Sequence, residues 1–209
     1  MDEVRVRFPV GPTMKKKKIF ILVGHPNSKS LSATLATSYA YGAEEKGHEV
    51  RRTNLGELTF DPILRKGYRE MQTLEPDLLN VQENFRWADH VVIIYPAWWS
   101  TMPALLKGMF DRMWLPGFAF RFQSGNTCRE LLWEKLLKGR SARVFVLSDS
   151  PPIFARLLFG DSTNEIRKGI LWFAGIKARI RKIGPLKFMT ERKARMWAHR
   201  FHHWGRKAL

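Results

Sequence analysis

Three short apolar runs constrain this chain more than anything else in it. Lys18-Ile19-Phe20-Ile21-Leu22-Val23, the run from His90 to Tyr95 and the run from Arg143 to Ser148 are rich in β-branched and aromatic residues. Runs of this kind are buried on both faces, as strands inside a parallel sheet are. Each is followed by a loop and then by a helical pattern. Strands alternating with helices of this length imply an α/β fold, a doubly wound parallel sheet with helices on both faces. Two more strands bring the count to five: His48 to Leu55, and Ile176 to Ile183, where apolar and basic residues alternate as on an edge strand.

The helices are read from their apolar faces. One runs from Leu31 to Lys46 with Leu31, Leu35, Tyr39 and Ala43 on one side, closed by Gly47. Others span about 77–88 and Pro103 to Trp114, and a short helical stretch is expected over Leu131 to Leu137. Residues 56–76 read as irregular and polar, and 115–126 as an aromatic loop. A helical region is expected from the end of the 149–152 loop to about Ala174. A last helix, Thr190 to Arg206, turns Ala194, Trp197, Ala198, Phe201 and Trp204 inward and Arg192, Lys193, Arg195 and Arg200 outward. Residues 1–14 read as an extension outside the fold, leaving 15–209 as a single domain with a basic C-terminal helix.

At 209 residues the chain can bury a sizeable core, and its 44% hydrophobic and 12% aromatic content is globular. A single cysteine, Cys128, excludes an internal disulfide, and its neighbours are no nucleophile signature. No His, Cys or carboxylate spacing suggests a metal. The net charge is +17, and residues 176–209 hold eleven Lys or Arg against one acidic residue, Glu191. Such a field attracts phosphates, nucleic acid or an acidic membrane. A solvated basic face is the competing reading. Without a recognition motif, nucleic acid ranks low.

Three loops share the carboxyl edge of the strands, at 24–32, 96–102 and 148–152, and that edge is where open α/β sheets bind ligands. Gly24-His25-Pro26-Asn27-Ser28-Lys29-Ser30-Leu31-Ser32 runs straight into a helix, whose N-terminal N–H groups form an anion site. His25 can bond a phosphate or be structural, and the serines can be simple caps. Pro96-Ala97-Trp98-Trp99-Ser100-Thr101-Met102-Pro103 offers flat apolar faces and backbone donors to a planar ring, or covers a helix end.

With Leu105-Leu106-Lys107-Gly108 and Pro116-Gly117-Phe118-Ala119-Phe120, these segments resemble the NAD(P)H:quinone oxidoreductase family of flavodoxin-like flavoproteins over roughly residues 16–175. The resemblance implies strand order 2-1-3-4-5 and a bound flavin, FMN in preference to FAD because a long C-terminal extension is lacking. It implies that His25, Ser30, Leu31 and Ser32 contact the flavin phosphate. Ala97, Trp98, Trp99 and Ser100 would line the isoalloxazine ring, with Ser148 and Asp149 on the third loop. Phe118, Ala119 and Phe120 would line the pocket where nicotinamide and quinone alternate. The chain departs from the family at Ser148-Asp149-Ser150-Pro151-Pro152, where Thr-Thr-Gly-Gly is usual.

The implied activity is ping-pong hydride transfer from NAD(P)H through flavin to a quinone or similar acceptor. The alternative is a flavin-binding regulatory or ancillary module that docks on a membrane protein with little turnover. A homodimer, a cytoplasmic location and peripheral contact with the acidic inner face of the membrane complete the expectations.

Overall fold

The structure, a computed structural model, describes residues 15–122 and 132–209. The expectations for residues 1–14, for Cys128 and for Leu131 lie outside the described residues. The strands are β1 (Lys18–Val23), β2 (Glu49–Asn54), β3 (His90–Pro96), β4 (Phe120–Phe122), β5 (Trp133–Lys135), β6 (Ser141–Leu147) and β7 (Lys177–Ile183). The helices are α1 (Leu31–Glu45), α2 (Pro76–Trp87), α3 (Ala104–Met113), α4 (Pro152–Phe159) and α5 (Glu191–Lys207), with a π-helical stretch over Glu165–Trp172. Five strands pair in parallel in the order β2-β1-β3-β6-β7, the doubly wound order expected. β4 and β5 form a separate antiparallel pair.

Alternation along each strand feeds two cores. Phe20 and Leu22 of β1 join Leu78, Val81 and Phe85 of α2 and Leu106, Met109 and Phe110 of α3 on one face. Ile19, Ile21 and Val23 meet Leu35, Ala36 and Tyr39 of α1 and Phe201 of α5 on the other. α5 is tied down by aromatic packing: the rings of Phe145 and Phe201 lie 4.4 Å apart, and Trp204 stacks on Phe145 at 5.2 Å. α1 and α5 approach backbone to backbone. A Cβ on Gly42 would fall 2.0 Å from the His202 carbonyl oxygen, and one on Gly205 2.0 Å from that of Tyr39. The basic tail is therefore a packed helix, with Arg192, Lys193, Arg195 and Arg200 on its exposed side as expected.

Two expectations are corrected. The helix expected over 131–137 is not formed in its described part: Trp133–Lys135 is a strand that pairs with Phe120–Phe122, followed by a turn, and Trp133 stacks on Phe173 at 4.4 Å. The aromatic loop correspondingly contains β4. The helical region after the third loop is broken at Gly160, whose φ is +74°, and restarts as the π-helical stretch.

Candidate active site

The three carboxyl-edge loops are stitched together at their roots. Gly24 N–H donates to the Ile94 carbonyl at 2.8 Å, Ala97 N–H to that of Leu147 at 2.7 Å, and Ser148 N–H to that of Ile183 at 2.9 Å. In the first loop, Asn27 N–H donates to His25 Nδ1 at 2.8 Å, so the neutral ring carries its proton on Nε2. Partial burial strips water from the ring and holds its pKa below the usual histidine value. Ser30 is the N-cap of α1, its hydroxyl accepting from Ala33 N–H at 3.4 Å. The N–H groups of Leu31 and Ser32 have no partner among the described residues. His25 therefore carries a neutral Nε2–H donor in the loop that leads into the positive end of α1.

The second loop is a tight turn. Trp98 and Thr101 exchange backbone hydrogen bonds, Trp98 N–H to Thr101 O at 2.9 Å and Thr101 N–H to Trp98 O at 3.1 Å. Between them Trp99 and Ser100 have φ of +49° and +65°. Positive φ at both central positions is the geometry that glycine and asparagine normally supply, and strain of this kind concentrates at ligand sites. The turn leaves the Trp99 and Ser100 N–H groups without a partner among the described residues. It also leaves the Trp99 side chain fully exposed. Trp98 stands edge-on to His25, ring centres 5.6 Å apart, which joins the first and second loops.

Beside this turn lies a cavity of about 580 Å³, within the range of small-molecule sites. Phe110, Trp114, Phe120, Phe122, Ile170 and Phe173 make its apolar walls. Tyr68, Lys107, Asp111, Arg112 and Glu165 supply polar groups. Thr101 Oγ1 donates to Glu165 at 2.6 Å, tying the strained turn to the cavity rim. Lys107 Nζ bridges both carboxylate oxygens of Asp111 at 2.7 and 2.8 Å, one helical turn along α3.

The wall formed by 61–75 is held by Arg112, which is 1% exposed. Its guanidinium meets Glu75 at 3.1 and 2.9 Å and donates to the Thr73 carbonyl at 2.7 Å and to that of Asp61. A buried cation needs such partners, and they engage both terminal nitrogens, while Nε has none among the described residues.

The structure thus brings His25, Ser30, Leu31, Ser32, Ala97, Trp98, Trp99 and Ser100 to one edge, with Ser148 half-buried and Asp149 exposed on the neighbouring third loop. Phe118, Ala119 and Phe120 do not act as one lining. Only Phe120 faces the cavity; Ala119 is wholly buried, and Phe118 packs on Trp114 at 5.4 Å beneath Arg86. Sequence reasoning missed Arg112, Glu165 and the 61–75 wall. The one available signal was Tyr68 and Met71, large side chains in a segment otherwise read as polar.

A doubly wound sheet with a donor-rich, aromatic carboxyl edge defines a nucleotide- or flavin-binding class of fold. The profile of the flavodoxin-like-fold family matches residues 17–179, and the chain belongs to that family. It is 32% identical over 186 residues to a ribosyldihydronicotinamide dehydrogenase-like protein of Penicillium crustosum, covering 77% of this chain and 70% of that one. It is 30% identical over 132 residues to an uncharacterized NAD(P)H oxidoreductase of Haemophilus influenzae, covering 60% and 61%. Among solved structures it superposes on an NAD(P)H:quinone oxidoreductase from Methanothermobacter marburgensis with a TM-score of 0.75 at 24% identity, covering 93% of this chain and all of that one. No described helix is long and apolar enough to cross a membrane.

Proposed function

We propose that the protein is a flavin-dependent NAD(P)H oxidoreductase acting on quinones or similar planar acceptors. The observation that carries this reading is the pairing of a strained, donor-bearing tryptophan turn with an apolar cavity through the Thr101–Glu165 hydrogen bond. The names of the relatives support it.

The residues fit a flavin. The free N–H groups of Leu31 and Ser32, with His25 Nε2–H, suit a phosphate, and the N–H groups of Trp99 and Ser100 suit the polar edge of a ring. When bound, the flavin supplies hydride acceptance from a nicotinamide and donation to an acceptor. The chain's own part is to orient, desolvate and stabilise charge. The turn N–H groups face developing negative charge without having to reorganise, because Trp98 and Thr101 fix the turn. Phe120, Trp114 and Phe173 exclude water and hold a planar substrate. Nicotinamide and acceptor would occupy this cavity in turn, a ping-pong mechanism. The same proposal includes a homodimer in which the Trp98–Thr101 turn meets its counterpart and the ring of Trp99 is covered.

Initial rates with NADH or NADPH against a soluble quinone test the activity. Parallel double-reciprocal lines are expected. Absence of turnover by flavin-loaded protein with either nicotinamide would overturn the reading.

A further inference from the structure

Strand β7 ends the five-stranded sheet, and its outer edge pairs with no other strand among the described residues. Lys177 N–H donates to the Arg140 carbonyl at 3.1 Å and Ser148 N–H to that of Ile183 at 2.9 Å. The odd-numbered residues of β7 therefore turn their backbone groups toward β6. Ala178, Ile180 and Lys182 turn theirs outward, and none of these N–H or carbonyl groups has a partner among the described residues. An edge of this kind is a template for one more strand.

The side chains along this edge alternate in character. Lys177, Arg179 and Arg181 are exposed on the face of the sheet that carries α5, where the Arg181 guanidinium lies 4.6 Å from the ring centre of Trp204. Ala178 and Ile180 are half-buried against the core of the opposite face. Arg143 of β6 stands beside Arg179 in register and extends the basic row. Arg143, Arg179 and Arg181 make no ion pair among the described residues. Burial, then the like charges of Arg181 and Arg179, lower the Arg143 pKa, as expected of cations without a counter-ion. A groove of about 650 Å³ follows the edge past Ala178, Ile180 and Lys182. Its one carboxylate, Asp161, is engaged by Arg167 and Lys182 at 3.6 Å each, which leaves the arginine row unbalanced.

We propose that β7 receives an extended acidic segment of a partner protein as an added strand of the sheet. The backbone of that segment pairs with Ala178, Ile180 and Lys182. Its side chains alternate between the two faces, so acidic residues at every second position meet Arg179 and Arg181, and the apolar residues between them lie over Ala178 and Ile180. Charge complementarity selects this occupant. A second copy pairing β7 with β7 about a two-fold axis at Ile180 would set Arg179 opposite Arg181, and like charges directly opposite repel. The inference does not depend on the flavin reading.

Fluorescence anisotropy of the full chain with a labelled peptide of alternating Glu and Val tests the proposal. Two further peptides carry N-methyl groups, one on the Val amides and one on the Glu amides, which keeps every charge and deletes one set of strand donors. The unmodified peptide should bind, and one of the two N-methylated forms should bind about tenfold more weakly, depending on whether the added strand runs antiparallel or parallel. Arg179→Glu/Arg181→Glu should lower affinity by a similar factor. Arg192→Glu/Arg195→Glu on α5 makes the same change in charge and should lower it far less. Circular dichroism should show that both double variants keep the wild-type fold, since all four side chains are exposed. Hydrogen exchange of the Ala178, Ile180 and Lys182 amides should slow when the peptide binds. Any one of four results would overturn the proposal: no peptide binding, both N-methylated forms binding as tightly as the parent, affinity untouched by the β7 substitutions, or unchanged exchange at the three amides.

Discussion

Thr101 and Glu165 are joined by a 2.6 Å hydrogen bond across 64 positions of sequence, linking the tryptophan turn after β3 to the π-helical stretch on the cavity rim. The bond makes the turn and the cavity one site. Thr101→Val keeps the shape of the side chain and removes the donor. It should weaken acceptor turnover and leave the melting temperature nearly unchanged, because the pair is solvent-accessible. Steady-state kinetics beside a thermal melt check this. Equal loss of stability and activity would make the bond purely structural.

Strain at the turn yields a second expectation. Ser100 holds φ at +65°, a conformation costing about 1 kcal/mol or more for a residue with a Cβ. Ser100→Gly should therefore raise stability by about that amount, and it keeps the backbone donor. Ser100→Pro fixes φ near −65° and deletes the donor, so it should cost flavin affinity. Isothermal titration of both variants with FMN separates the two effects. Similar affinities in the two variants would mean that the Ser100 N–H does not meet the cofactor.

Arg112 sets a third. Replacing it with Met leaves Glu75 and the Thr73 and Asp61 carbonyls without their cation. The carboxylate left behind is partly solvent-exposed, so the cost is that of charge-assisted hydrogen bonds and two unpaired carbonyls, about 2–3 kcal/mol. Urea unfolding should show a loss of that order, and proteolysis should reach the 61–75 wall first. A loss below about 1 kcal/mol would contradict the role assigned to this side chain.

The pH dependence of stability has a definite sign. His90 is 4% exposed, and burial lowers its pKa from 6.5 to about 3, with the nearby cations of Lys17 and Arg143 adding to the shift. Between those values the unfolded chain binds a proton that the folded chain refuses, so stability falls as pH drops from about 6.5 toward 3. A gap of that size is worth several kcal/mol. Burial also lowers the pKa of His48, which acts in the same direction. His90→Leu should flatten the acid limb of a denaturation-against-pH curve, and an unaltered slope would contradict the assignment.

The elements that could be read from sequence are those stabilised by their own periodicity. β1, β3 and β6 announce themselves as β-branched runs, and Leu35, Tyr39 and Ala43 mark the buried face of α1. β5 was hidden because Trp133-Glu134-Lys135 acquires its strand from Phe120–Phe122, thirteen residues earlier, and from stacking on Phe173. Tertiary pairing there overrides helix-compatible residues. The Trp98–Ser100 part of the site was legible because its residue types are unusual in a loop. Glu165 and Arg112 were not, since a lone carboxylate or arginine on a helix carries no sign of a partner 64 or 37 positions away.

Flavin binding is measured directly as flavin released from the purified protein. Denaturing the protein and recording the absorbance of the supernatant, with chromatography to tell FMN from FAD, gives the stoichiometry. One flavin per chain is expected, either as isolated or after incubation with micromolar flavin, with markedly weaker uptake by Trp99→Ala/Ser100→Pro. A folded protein that takes up neither FMN nor FAD at those concentrations would contradict it.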